Sequence, residues 1–115
     1  MRQNDKSRLT HMLESAEEIQ QWFSEKSRED FEIDKMMQKA AAKNIEIIGE
    51  ATKNISEALR TRYREVPWKD MAGARDVLTH EYFQIDLDEV WEMCTQDIPE
   101  LILSLKKILV QIEDE

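Results

Sequence analysis

A chain of 115 residues is the size of one domain, and a domain of this length buries enough surface to need no metal or disulfide staple. Its one cysteine, Cys94, excludes an intrachain disulfide, and its two histidines cannot build a zinc cluster. The polar start Met1-Arg2-Gln3-Asn4-Asp5 lacks the apolar core of a signal peptide, and no apolar run reaches the length of a membrane span. The expectation is a cytoplasmic protein, a single domain over 1–115, with no membrane partner and no cofactor.

Two glycines, two prolines and an abundance of Ala, Leu, Ile, Glu, Lys, Gln and Met favour helix nearly everywhere. The first helix is expected to start near Asn4 or Asp5, with Leu9, Met12, Leu13, Ala16, Ile19 and Phe23 forming one apolar stripe at three-four spacing. The polar stretch Ser27–Glu32 reads as a break with capping residues. One long helix is then expected from about Asp34 to Tyr63, burying Met37, Ala41, Ile45, Ile48, Thr52, Ile55 and Leu59. Gly49 lies inside it, where glycine costs about 1 kcal/mol against alanine; close approach of another helix would account for it.

Val66-Pro67-Trp68 should end that helix, because proline disfavours helix in the residue before it. A short helix is expected to follow Asp70 and run to about His80. Asp86 and Glu89 have capping spacing for the next helix, whose stripe runs through Leu87, Val90, Trp91, Cys94, Ile98, Leu101, Leu105, Ile108 and Ile112. Pro99 should kink or split it. No strand-like alternation occurs, so the expected fold is all-α: an up-and-down bundle of four to five helices. Trp22, Phe23, Trp68 and Trp91 read as core or interface aromatics.

The net charge of −9 is unevenly spread. Residues 1–34 carry 5 basic and 9 acidic side chains, residues 35–75 carry 9 and 5, and residues 76–115 carry 2 and 11. The basic excess gathers at Arg60, Arg62, Arg64, Lys69 and Arg75, a strip suited to phosphate on an otherwise acidic body. A solvated mixed-charge surface is the alternative for the same residues.

Of the two histidines, His11 stands among polar residues and reads as a surface group, whereas His80 stands among functional groups. Asp76 lies four residues before His80, so on a continuous helix its carboxylate reaches the imidazole and can fix its tautomer. A purely structural Asp76–His80 contact satisfies the same spacing. Arg75, five residues before His80, points about 140° away on a regular helix. Either the helix distorts before His80, or the target lies in a cleft that wraps around it. Arginine suits phosphate and the pentacoordinate state formed on it, and histidine suits proton transfer at a ribose 2′-hydroxyl or a leaving 5′-oxygen. The pair fits metal-independent RNA cleavage, and a two-fold dimer would supply the second acid–base group. By itself Tyr82 reads as a core aromatic with a satisfied hydroxyl.

Along essentially its whole length the chain resembles the HepT-like toxins of the HEPN superfamily. Their signature of Arg, four residues, His, any residue, Tyr is met by Arg75, His80 and Tyr82. Ile48-Gly49-Glu50-Ala51, Val66-Pro67-Trp68, Met71 and Gly73 precede it, and Val90-Trp91 and Ile98-Pro99-Glu100-Leu101 follow. Many relatives have asparagine after the arginine, where this chain has Asp76. The resemblance implies an HEPN-like helical homodimer whose motif residues meet between subunits, with Arg75 and His80 cleaving RNA and Asp76 supporting His80. It further implies a toxin–antitoxin pair in which a minimal nucleotidyltransferase antitoxin transfers AMP from ATP to Tyr82. A non-catalytic HEPN module that binds nucleotide or RNA, or docks a nucleotidyltransferase, is the other function class.

Overall fold

The computed structural model describes residues 3–73 and 86–113, and these are helical with no strand among them. Helix α1 (Gln3–Phe23) packs along both α3 (Lys35–Lys53) and α7 (Ile98–Glu113), which places it at the centre of the molecule. Its expected stripe is the core: Leu9, Met12, Ala16 and Ile19 are fully buried, Phe23 nearly so, and Leu13 packs against them. Asn44 of α3 ties this interface with a polar clamp, its amide donating to the Ser15 carbonyl at 3.1 Å and to Glu18 Oε1 at 2.9 Å. No described helix is long and apolar enough to cross a membrane.

Helix α1 ends without glycine. Glu25 takes up the left-handed conformation (φ 63°) that glycine usually supplies, while the Ser24 amide still bonds to the Gln20 carbonyl. The polar stretch that follows is a helix in its own right, contrary to the sequence expectation. Helix α2 (Arg28–Ile33) begins in a capping box in which the Ser27 hydroxyl accepts from the Asp30 amide and Asp30 accepts from the Ser27 amide. These bonds hold the Asp30 carboxyl below its ordinary range. One apolar residue suffices to dock so short a helix. Phe31 is fully buried in a cluster with Phe23 and Trp91, with ring centroids 5.3–5.7 Å apart. Arg28 adds a bond to Asp88 of α6 (Leu87–Glu92).

The expected long helix over 34–63 is two helices. Asp34 caps α3 by accepting from the Met37 amide at 3.0 Å, but α3 ends at Lys53 and α4 (Glu57–Arg62) restarts from Ser56. The apolar period crosses this break undisturbed, because Ile55 and Leu59 are both buried as the stripe requires. Long-range polar bonds make the break. Asp5 of α1 is buried and accepts from the Ser56 amide at 2.9 Å and from its hydroxyl at 2.6 Å. Arg8 donates to the Asn54 carbonyl at 3.0 Å, satisfying a group the end of α3 leaves free.

Most of the C-terminal stripe holds as read, with Val90, Cys94, Ile98, Leu101, Leu105, Ile108 and Ile112 buried, while Leu87 and Trp91 are half-buried against the core. Asp86 caps α6 through the Glu89 amide at 3.1 Å. Pro99 does not split the rod, since it lies inside α7. Residues Met93–Asp97 form a π-helical turn instead, and α7 follows directly with Ile98 in helical geometry. The wider turn absorbs the missing proline N–H and the clash of its ring with the preceding turn. The Thr95 hydroxyl donates to the Trp91 carbonyl at 2.7 Å within this turn.

Candidate functional site

Arg75, Asp76, His80 and Tyr82 lie outside the described residues, so the surroundings of the site are built from what leads to and from them. After α4, the chain turns through a strap held by its own backbone. The Tyr63 carbonyl accepts from the Val66 amide at 3.2 Å and from Trp68 Nε1 at 2.9 Å, and the Pro67 carbonyl accepts from the Met71 amide at 3.1 Å. This last bond opens helix α5 (68–73), three residues before the expected start. Proline at the boundary is the reason, since its fixed φ suits a helix entrance and its carbonyl remains a good acceptor. Tyr63, Val66 and Trp68 are buried, so the strap is anchored in the core on the side from which the chain proceeds toward Arg75. The described chain resumes at Asp86, which caps α6.

The basic strip divides into two. Arg60 and Arg62 occupy the last turn of α4, where cations are favoured by the helix dipole, and Arg64 is exposed in the next turn. The Arg62 guanidinium lies over the Tyr63 ring, 5.4 Å from its centroid. Arg60 is half-buried; its Nε and the Tyr63 hydroxyl are both buried without a hydrogen-bond partner among the described residues. Lys69 is exposed but stands apart, on the rim of a cleft it shares with Glu65 and Asp70.

That cleft, of about 640 Å³, was not foreseen from the sequence. Its floor is apolar, from Ile45 and Ile48 of α3, Met71 of α5 and Leu101 of α7. Its rim is acidic, from Asp70, Glu89, Asp97 and Glu100. Gly73 and Glu89, on the two sides of the segment 74–85, both line it. Burial, and then the charges of Glu92, Glu100 and Asp70, hold the Asp97 carboxyl above its ordinary range. These residues come from well-separated parts of the chain, so no local spacing marks them. The only signal was the acidic excess of residues 76–115.

Cys94 lies in the same π turn but offers no chemistry. It is buried, and burial followed by the charge of Asp97 pushes its thiol up to about 12, far from the thiolate a nucleophile requires. His11, the other histidine, is exposed on α1.

Comparison with known proteins decides the family. The family described as Ribonuclease HepT-like matches residues 12–108, a span that includes every motif residue. The chain belongs to the HepT-like ribonuclease family. A protein of Caldanaerobacter subterraneus, provisionally named an RNase, is 41% identical over 101 residues, covering 88% of this chain and 90% of that one. A protein of Thermococcus cleftensis, provisionally named ribonuclease HepT, is 38% identical over 108 residues, covering 94% and 98%. A protein of Methanocaldococcus jannaschii, named a gamma-glutamylcyclotransferase and provisionally an RNase, is 41% identical over 113 residues. This HepT-like chain aligns over 98% of its length there but spans only about half, 51%, of that relative. No solved structure gives a significant match.

Proposed function

We propose that this HepT-like chain is a metal-independent endoribonuclease and the toxin of a toxin–antitoxin pair. The observation that carries the proposal is the intact motif, Arg75, His80 and Tyr82 at the family's spacing, in a chain that matches the family over 12–108. One imidazole accepts the proton of a ribose 2′-hydroxyl as its oxygen attacks the adjacent phosphorus. Arg75 neutralises the charge that grows on the non-bridging oxygens. The bond from phosphorus to the 5′-oxygen breaks, and that oxygen takes its proton from a second imidazole. The products are a 2′,3′-cyclic phosphate and a free 5′-hydroxyl, and no metal ion enters the step.

The second imidazole is His80 of the partner subunit in a two-fold homodimer. The mismatch of about 140° between Arg75 and His80 on a regular helix supports this arrangement, since one helix face cannot aim both groups at one phosphate. Asp76, four residues from His80, orients the ring. Arg60 and Arg62 at the end of α4, with Arg64 in the turn after it, bear on flanking phosphates, while Lys69 contributes less because carboxylates surround it.

Tyr82 is the control point. A minimal nucleotidyltransferase antitoxin transfers AMP from ATP to it: the phenolic oxygen bonds to the α-phosphorus and pyrophosphate leaves. Each AMP adds bulk and negative charge beside His80, which excludes RNA sterically and electrostatically. The test is end-group analysis of RNA incubated with the purified protein in EDTA. Cyclic phosphate and 5′-hydroxyl ends support the mechanism, whereas 5′-phosphate ends, or cleavage only with added metal, contradict it.

A further inference from the structure

The apolar cleft with the acidic rim offers chemistry that RNA cleavage does not use. Its floor includes Ile45, Ile48, Met71 and Leu101, drawn from three helices. Around it stand Asp70, Glu89, Asp97 and Glu100, and none of these four carboxylates forms an ion pair with another described residue. Burial raises the Asp97 carboxyl first, and the charges of Glu92, Glu100 and, across the cleft, Asp70 add to it. Four carboxylates repel a phosphate backbone, so the cleft is no path for nucleic acid. An apolar floor wide enough for several side chains, framed by carboxylates that outnumber the single rim cation Lys69 among the described residues, matches a helix with an apolar face and lysines or arginines on its flanks.

We propose that this cleft is a docking groove for a cationic amphipathic helix of a protein partner. The partner's apolar side chains cover the floor, and its cations neutralise Asp70, Asp97 and Glu100. Binding therefore weakens with salt and with loss of the rim charges. The proposal does not depend on the nuclease mechanism, because the groove binds its partner whether or not the chain cleaves RNA.

The probe is a fluorescent synthetic leucine–lysine amphipathic helix, compared with the same peptide carrying glutamine for lysine. Anisotropy titrations use the wild-type chain, Asp97→Lys/Glu100→Lys, the milder Asp97→Asn/Glu100→Gln, and Glu14→Lys/Glu29→Lys as a charge-matched reversal away from the cleft. Circular dichroism checks folding, and the neutral pair serves if the reversal does not fold. The expected result is binding of the lysine peptide that falls at least tenfold in the rim variants, stays within a few-fold in the distant variant, and is weak throughout for the glutamine peptide. Equal losses in the rim and distant variants would reduce the effect to general attraction to an acidic protein and overturn the proposal. Unchanged binding in the rim variants would overturn it too. Two further outcomes overturn it by naming another occupant: light scattering that shows rim variants turning a dimer into a monomer, or an RNA oligonucleotide that displaces the peptide.

Discussion

Asp5 and Ser56, 51 positions apart, are joined by two hydrogen bonds, the carboxylate accepting from the Ser56 amide at 2.9 Å and from its hydroxyl at 2.6 Å. This pair fixes the point where α3 gives way to α4 and so sets the direction in which α4 delivers Arg60 and Arg62. Both partners are withdrawn from water, and Asp5 almost wholly so. Asp5→Ala should therefore cost about 1–3 kcal/mol, the range for orphaning buried hydrogen-bonding groups. Asp5→Asn should cost less, because its amide oxygen still accepts from the Ser56 amide. Urea denaturation distinguishes the two; equal midpoints for Asp5→Ala and wild type would show that the pair does not hold the break.

Trp68 anchors the strap that leads toward Arg75, and its ring nitrogen donates to the Tyr63 carbonyl at 2.9 Å. Trp68→Phe keeps most of the buried ring and removes this bond, for a cost of about 1 kcal/mol. The loosening should be local. Hydrogen exchange should quicken for amides in 68–73 and remain at wild-type rates in α1. Uniform acceleration would indicate a global effect instead.

The π turn makes a third prediction. Thr95 holds the Trp91 carbonyl at 2.7 Å. Thr95→Val preserves shape and loses the hydroxyl, which should lower stability by about 1 kcal/mol in thermal or chemical denaturation. A variant as stable as wild type would mean that the Trp91 carbonyl finds other partners without cost.

Asp97 makes stability depend on pH. Its carboxyl is held above the ordinary range by burial first, and then by Glu92, Glu100 and Asp70. The folded chain thus binds this proton more tightly than the unfolded chain does. Its contribution is fully favourable below the unfolded pKa and is lost as pH rises through that value to the raised folded one. Asp97→Asn removes the titration. Its urea midpoint should exceed that of wild type at pH 7, and the difference should vanish below about pH 4. A constant offset at every pH would contradict this assignment.

The residues whose burial follows from apolar spacing were legible in the sequence. All seven inward positions read over 34–63 are buried, as is the stripe from Val90 to Ile112 apart from the half-buried Trp91. Two features broke that logic for different reasons. The α3–α4 break is made by Asp5 and Arg8 of another helix, and no feature of local period reports a partner 46 or 51 residues away. Helix α2 was hidden because one apolar side chain, Phe31, cannot make a stripe, although its capping residues Ser27 and Asp30 were visible. A disturbance near Pro99 was foreseen but not its form or place, since the rod continues through a π turn that ends two residues upstream, at Asp97. At the site, the order of motif residues is a linear pattern and could be read directly. The cleft could not, because Ile45, Met71, Asp97 and Leu101 meet only through the packing of α3, α5 and α7.

Cleavage of single-stranded RNA in EDTA by the wild-type chain, beside folded Arg75→Ala and His80→Ala variants, tests the central claim most directly. Each variant should lose about 100-fold or more of the rate, the scale of a general acid–base group or a transition-state cation. Cleavage that persists undiminished in His80→Ala would contradict the mechanism.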